Sequence, residues 1–469
     1  MILAGMCATL LAVFTGCIED GYTTSPSDQP VFSTDTLDMG VVYTNEQTST
    51  YKLIVYNRHS KGLNLSNVAI SGPNASMFRL NVDGESGKTF TDVEIRANDS
   101  IFVFVSADLP ANGTYQARTV EANLDFHVNG MVSSVVLKAD GQDITRIKGL
   151  VITSDTKLTS DALYQVKDSL VVAEGATLTL TPGTRLLFHD KARLVVRGTL
   201  VSEGTYIEPV IITGDRTGNV ITDVSFDLMS RQWSGIEFME SSSGSRMDFT
   251  DVSNTSLGVK LFGNGKYSAD SEPMLTLTNS RLRNSGEYTL YSEGASVEGY
   301  GCVFSDAASG LVYLLGGKHR FEQCTFANYY LFSFPKGNSL IFVSPAEAGG
   351  SEAIYYGWDP VKAEVVNSIS YGLSGDVTPG DLTGWDVYLR HCLFKSNGTD
   401  DENFVDSLWD IDPLFYVERS DYILDYRLMP DSPAIDAADP SLNTRKLDVD
   451  YYGTPRARDL GAYAFAEPD

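Results

Sequence analysis

The sequence predicts an all-β protein, with a β-sandwich near its N-terminal end and a parallel β-solenoid over the remainder. Three observations predict it. The first is a run of apolar pairs that recurs every eight residues: Leu170 with Val172, Leu178 with Leu180, Leu186 with Phe188, and Leu194 with Val196. Side chains two residues apart point to one face of a strand. Turn formers separate the pairs, namely Gly175, Pro182 with Gly183, Asp190 and Gly198. Three strand-and-turn units span 24 residues, from Leu170 to Leu194, which is one turn of a parallel solenoid. A hairpin barrel needs tight Asn-Gly turns between its strands, and this stretch has none.

The second observation is a longer period downstream. Ser280 and Leu282, Cys302 and Phe304, Cys324 and Phe326, Ser368, then Cys392 and Phe394 recur at intervals of 22, 22, 44 and 24 residues. Coils stack at about 4.8 Å, so these residues form two inward ladders, one of small Ser and Cys and one of Leu and Phe. The 44-residue interval reads as two coils, one of them degenerate or looped out. The third observation is composition: 41 Gly, 24 Tyr and 22 Phe with poor helix signals throughout.

The elements follow in chain order. Residues 1–16 are apolar and too short to span a bilayer comfortably, as in a signal peptide. They end in Phe14-Thr15-Gly16-Cys17, with Ile18-Glu19-Asp20 following. The first motif resembles the bacterial lipobox, and the second resembles the surface-export signal of Bacteroidetes lipoproteins. The resemblance implies a lipidated Cys17 and an outer-membrane, surface-exposed protein that meets the membrane only through its lipid. The motif departs from the pattern at Phe14, where Leu is usual, and no Lys or Arg precedes the apolar run. An ordinary signal peptide with a fortuitous cysteine is the alternative. Residues 17–30 are polar and rich in Pro and Ser, a tether.

Residues 31–145 alternate clearly in Tyr51–Tyr56 and Ile101–Val105, with turn clusters at Ser71–Asn74, Asn81–Gly87 and Pro110–Gly113. Strands at this spacing predict an Ig-like sandwich. The phrases DTLDMGVVYTNEQTSTYKLIVYNRH, FRL and DSIFVFVSADL resemble Ig-like modules of Bacteroidetes surface proteins. Residues 146–469 carry VAEGATLTLTPGTRLLF, ARLVVRGTLVSEGT, PVIITGDR and WSGIEF, and resemble right-handed parallel β-helix repeat proteins of bacterial surfaces. The stretch SPAIDAADPS through DLGAYAF resembles the closing segment of such proteins, with Asp436, Asp459 and Tyr463 at its recurrent positions. An open solenoid end needs a cap, and this segment is expected to provide it.

Composition limits the function. A formal net charge of −26 argues against a nucleic-acid partner and against adhesion of the folded part to anionic lipid. Cys302, Cys324 and Cys392 lack CxxC spacing and lie on the small-residue ladder, so they read as packing residues. The five histidines are dispersed, and neither HExxH nor GxSxG occurs. Asp448, Asp450 and Asp459 are weak candidates for a calcium site, with loop capping the commoner role for such acids; no other cofactor is suggested. An inverting hydrolase needs paired carboxylates, and the Asp400-Asp401 pair reads as a polar loop. A catalytic site is therefore not identified, and its catalytic residues are unknown from sequence.

Two stretches break the coil rhythm between Pro345 and Val387, and they contain Tyr355, Tyr356, Trp358 and Asp359, then Trp385 and Asp386. Solenoid insertions map to loops on one face, often the binding face. Aromatic rings beside carboxylates suit stacking and hydrogen bonding to a sugar; covering the core is the competing role. The sequence thus favours a non-catalytic, adhesin-like binder of a glycan or host surface. A polysaccharide lyase or glycoside hydrolase is the alternative, and it should show clustered Asp, Lys and Arg in a groove across two or three coils.

Overall fold

A computed structural model describes residues 21–221, 224–268, 270–345 and 357–467. The chain divides into two compact units, Met1–Asp143 and Ile144–Asp469. In the first, two five-stranded sheets share one core. One sheet contains Tyr51–Tyr56 and Ser100–Ala107, and the other contains Arg118–Val128 and Met131–Gln142. The alternation is real: Leu53, Val55, Val103 and Val105 are buried, while Phe102 on the other face is 46% exposed. Pairing between the strands of this unit is antiparallel except for Thr36–Tyr43, which runs parallel to Met131–Gln142, and the isolated Tyr22–Gly62 bridge is also parallel. The expected tether needs correction from Tyr22 onward. Thr23 N–H donates to the Gly62 carbonyl at 2.9 Å, and Asn129 Nδ2 donates to the carbonyls of Ser25 and Asp28. A polar segment whose backbone groups find partners on a sheet lies along it.

The second unit is a stack of parallel strands in three columns. Ten strands form one sheet, and eighteen form another that bends around a corner. The strand Leu163–Val172 serves both arms of that bend, pairing with Arg185–Phe188 and with Arg193–Val196. The eight-residue beat is therefore the passage from column to column. Leu170 lies over Leu194 and Val172 over Val196, and all eight residues of the beat are fully buried. This all-β solenoid of long parallel sheets is the architecture that the periodicity predicts.

The longer beat is the register itself. Arg281 pairs with Val303, Val303 with Thr325, Thr325 with Ile369, and Ile369 with Leu393, which stacks the preceding Ser and Cys positions in order. Thr325 and Ile369 are direct neighbours, so the 44-residue interval is one coil with an enlarged loop, not two coils. A long insertion leaves the register intact because loop closure grows only slowly more costly with length.

The small-residue column sits at a sharp corner. The residue before each ladder position has a left-handed backbone: Asn279, Gly301, Gln323, Asn367 and His391. The ladder side chain then donates back to the carbonyl two residues earlier. Ser280 Oγ reaches Thr278 at 2.9 Å, Ser368 Oγ reaches Val366 at 2.8 Å, and the Cys302, Cys324 and Cys392 thiols reach Tyr300, Glu322 and Arg390 at 3.4 Å. Each of these carbonyls also accepts a backbone N–H from the neighbouring coil, so the short donor side chain adds a second bond at the corner, on the carbonyl's other lone pair.

The C-terminal segment differs from an end cap. Phe415, Tyr426, Leu428, Tyr451, Leu460 and Tyr463 pack against Val303, Ala327, Ile369 and Leu393, along the outer flank of one column. Strands under this cover are buried on both faces; all of Val303–Ala307 and Thr325–Asn328 are buried. Apolar residues facing outward on that column have to be covered, so the segment follows them.

Candidate functional site

Of the residues expected at a site, Cys17, Tyr355 and Tyr356 lie outside the described residues. Trp358 is half-buried over a glycine turn, so close that a Cβ on Gly265 would fall inside its ring. Asp359 accepts from Lys266 Nζ at 3.0 Å and from Tyr267 N–H at 3.3 Å. Trp385 is half-buried against the solenoid core, and its carbonyl accepts from Asn403 Nδ2. Asp386 accepts from Lys362 Nζ at 2.8 Å. Both insertions enter the ten-stranded sheet at the same edge, since Lys362 and Asp386 are register partners.

Asp450 and Asp459 bind backbone amides. Asp450 accepts from Tyr452, Thr454 and Ala464, and Asp459 from Asp436 and Phe465. Asp448 is exposed beside Lys446. Among the described residues, no group of three His, Cys, Asp or Glu side chains is placed to hold a metal.

The outer face of the ten-stranded sheet forms an open groove of about 430 Å³ that these readings missed. Its strands include Val297–Tyr300, Lys318–Glu322, Lys362–Val366 and Asp386–Arg390. Alternation puts Phe321, Ala363, Val365, Val387 and Leu389 inward and leaves the residues between them outward. One outward row is Glu298, Arg320, Glu364 and Tyr388, each in register with the next. Beside it runs Lys318, Lys362 and Asp386. The signal was present in the sequence: these rows stand four and six residues before Cys302, Cys324, Ser368 and Cys392.

The groove's charges are interlocked. Arg320 bridges Glu322 and Glu364 and donates to the Leu442 carbonyl at 2.8 Å, which ties in the C-terminal segment as one wall. Arg390 pairs with Glu364 at 3.2 Å. Tyr300 donates to Glu298 at 2.9 Å, and Arg445 lies over its ring at 4.2 Å. Burial, then the Glu298 carboxylate, pushes the Tyr300 hydroxyl up to about 12, so it stays a donor. The hydrogen bond to Asp386 raises Lys362. The groove lining carries four cations (Lys318, Arg320, Lys362, Arg390) against three carboxylates (Glu298, Glu364, Asp386), in a chain of net charge −26. Cations and carboxylates interleaved at strand spacing present donors and acceptors together, the pattern that matches hydroxyls on a polyol.

No family model matches the chain, and no curated protein does. Among solved structures, a protein of unknown function from Porphyromonas gingivalis W83 aligns at 20% identity over 24% of this chain and 46% of that one, with a TM-score of 0.19. A family 123 glycoside hydrolase from Clostridium perfringens aligns at 10% identity over 24% of this chain and 26% of that one, with a TM-score of 0.18. The chain spans less than half of either, and likenesses of this size carry no argument.

Proposed function

We propose that this chain is a lipid-anchored surface protein that binds a glycan along the groove of its ten-stranded sheet. In this reading Cys17 carries the lipid, an Ig-like module spaces the solenoid from the outer membrane, and the solenoid is a right-handed β-helix. The observation that carries the binding assignment is the row Glu298, Arg320, Glu364 and Tyr388 beside Lys318, Lys362 and Asp386. Such a row offers hydroxyls acceptors and donors on neighbouring coils, with Tyr388 as a stacking ring. Glycan-array binding of the full chain tests it. Tyr388→Ala and Lys362→Ala should each weaken retained glycans by over 1 kcal/mol without shifting the melting temperature. An array on which these variants bind like the wild type sinks the groove assignment.

A hydrolase remains the second reading, because charged side chains do cluster across adjacent coils. Glu298 and Glu364 flank Arg320 in one row, two strand spacings or roughly 9–10 Å apart, near the separation of an inverting pair. Glu364 is held by two arginines and Glu298 by Tyr300, an arrangement that favours binding over proton transfer. Turnover of an array-positive glycan, abolished in Glu298→Gln and Glu364→Gln, decides for the enzyme.

A further inference from the structure

A second cavity, of about 250 Å³, lies on the flank where Arg281–Ser285 and Val303–Ala307 meet the C-terminal segment. Its volume equals that of about eight liquid waters, the scale of a single sugar ring. Its chemistry is set by two arginines that share one buried acid. Asp251, 2% exposed, accepts from Arg281 and from Arg283 Nε at 3.0 Å. The second carboxylate near Arg283 is Asp227, 3.7 Å away on a side chain that is 62% exposed. Asp306 is a further carboxyl in the cavity lining, close enough to Arg283 to interact with it. Its carboxyl is taken by Tyr426 Oη at 2.6 Å and Tyr329 N–H at 3.1 Å, and burial raises its protonation range.

The arginines are not used up by the fold. Arg281 lies over the Tyr451 ring at 4.1 Å and donates to Tyr452 Oη at 3.1 Å, yet its buried Nε has no partner. Arg283 donates through Nε alone among the described residues, so its two terminal nitrogens have no hydrogen-bond acceptor. The cavity combines the two guanidinium groups with Tyr422, Tyr452 and Tyr463 and with three acids, Asp227, Asp306 and Asp425, the last paired to Arg427 at 2.5 Å. A guanidinium edge matches a planar carboxylate, and a tyrosine ring matches the apolar face of a pyranose.

We propose that this cavity is a separate ligand site for an acidic sugar, a uronate residue whose carboxylate sits on Arg283 and whose ring lies against Tyr452. The site is independent of the groove, and it gives an acidic protein a place for an acidic glycan that its overall charge disfavours.

Titration calorimetry of the full chain tests it, with glucuronate and galacturonate against glucose, galactose, acetate and inorganic sulfate. The uronates should bind, the neutral sugars should not, and acetate and sulfate should bind at least tenfold more weakly. Arg283→Gln should weaken uronate about tenfold or more. Asp227→Asn removes the exposed acid at the mouth and should tighten uronate about threefold. That gain is one that a merely structural cluster cannot produce, and it decides the matter if Arg283→Gln does not fold. Equal binding of neutral and acidic sugars, sulfate as tight as uronate, no uronate binding, or an unchanged Asp227→Asn each overturns the proposal. Uronate binding lost with Tyr388→Ala places the sugar in the groove and also overturns it, while leaving the groove assignment intact.

Discussion

His319 shows how one buried side chain ties this solenoid to pH. It points inward from the strand Lys318–Glu322 and is 3% exposed. Nε2–H donates to the Gly316 carbonyl at 2.8 Å, and Nδ1 has no partner. Burial lowers its pKa from 6.5 to about 4. A depressed histidine contributes stability that is present above pH 6.5 and is lost as pH falls toward 4, because the unfolded chain takes up the proton first. At pH 4.5 the loss relative to pH 7.5 is about 2–3 kcal/mol. All four tryptophans, at 233, 358, 385 and 409, lie in the second unit, so their fluorescence reports its unfolding alone. Urea midpoints at the two pH values should converge for His319→Gln by that amount, since carboxylate titrations are common to both proteins and cancel. Parallel pH profiles would show that the imidazole does not titrate as described.

At the level of the element, the ladders separate packing from hydrogen bonding. Phe304 and Phe326 stack at 5.2 Å with planes 9° apart, and both are fully buried. Phe304→Ala or Phe326→Ala should cost roughly 3–5 kcal/mol through the lost transfer energy and the cavity left behind. Cys302→Ala should cost about 1 kcal/mol, as a small side chain with a weak donor is lost. Cys302→Ser should be the mildest of the three, because Ser280 and Ser368 already fill that corner elsewhere with the same backward bond. The urea midpoint orders them, and a serine variant worse than alanine refutes the hydrogen-bonded corner. Both columns were legible in the sequence, since a two-residue spacing fixes the face and the period fixes the stack. The corner's left-handed residue was not, because Asn279, Gly301, Gln323, Asn367 and His391 share a backbone conformation and no common chemistry. The groove rows were legible only by counting back from the ladder, because Glu298, Arg320, Glu364 and Tyr388 share a face but not one residue type. The tryptophans drew attention because they broke the rhythm, and breaking the rhythm brought Trp385 onto the core and Trp358 onto a glycine turn.

For the whole molecule, the C-terminal segment converts an exposed apolar flank into a second core. Its hold on the coils is polar as well as apolar. Buried Glu322 accepts from Thr444 through both its N–H and Oγ1, and Asn367 exchanges hydrogen bonds with Asp439. Sequence could name the segment but not its path, because a lateral cover and an end cap need the same apolar residues and the same turn acids. Asp450 separates the two meanings those acids had. It is 1% exposed and receives amides from Tyr452 at 2.8 Å, Thr454 at 3.0 Å and Ala464 at 3.1 Å. Those three amides occupy both carboxylate oxygens, so the group acts as a clamp on the segment's turn. Asp450→Asn keeps the size, loses one acceptor oxygen, and should lower stability by about 1–3 kcal/mol as buried amides lose their partner. Calcium should leave the wild-type urea midpoint where it is. A calcium-dependent rise that vanishes in Asp450→Asn would instead make this turn a metal site and remove the clamp from the account of how the flank is held.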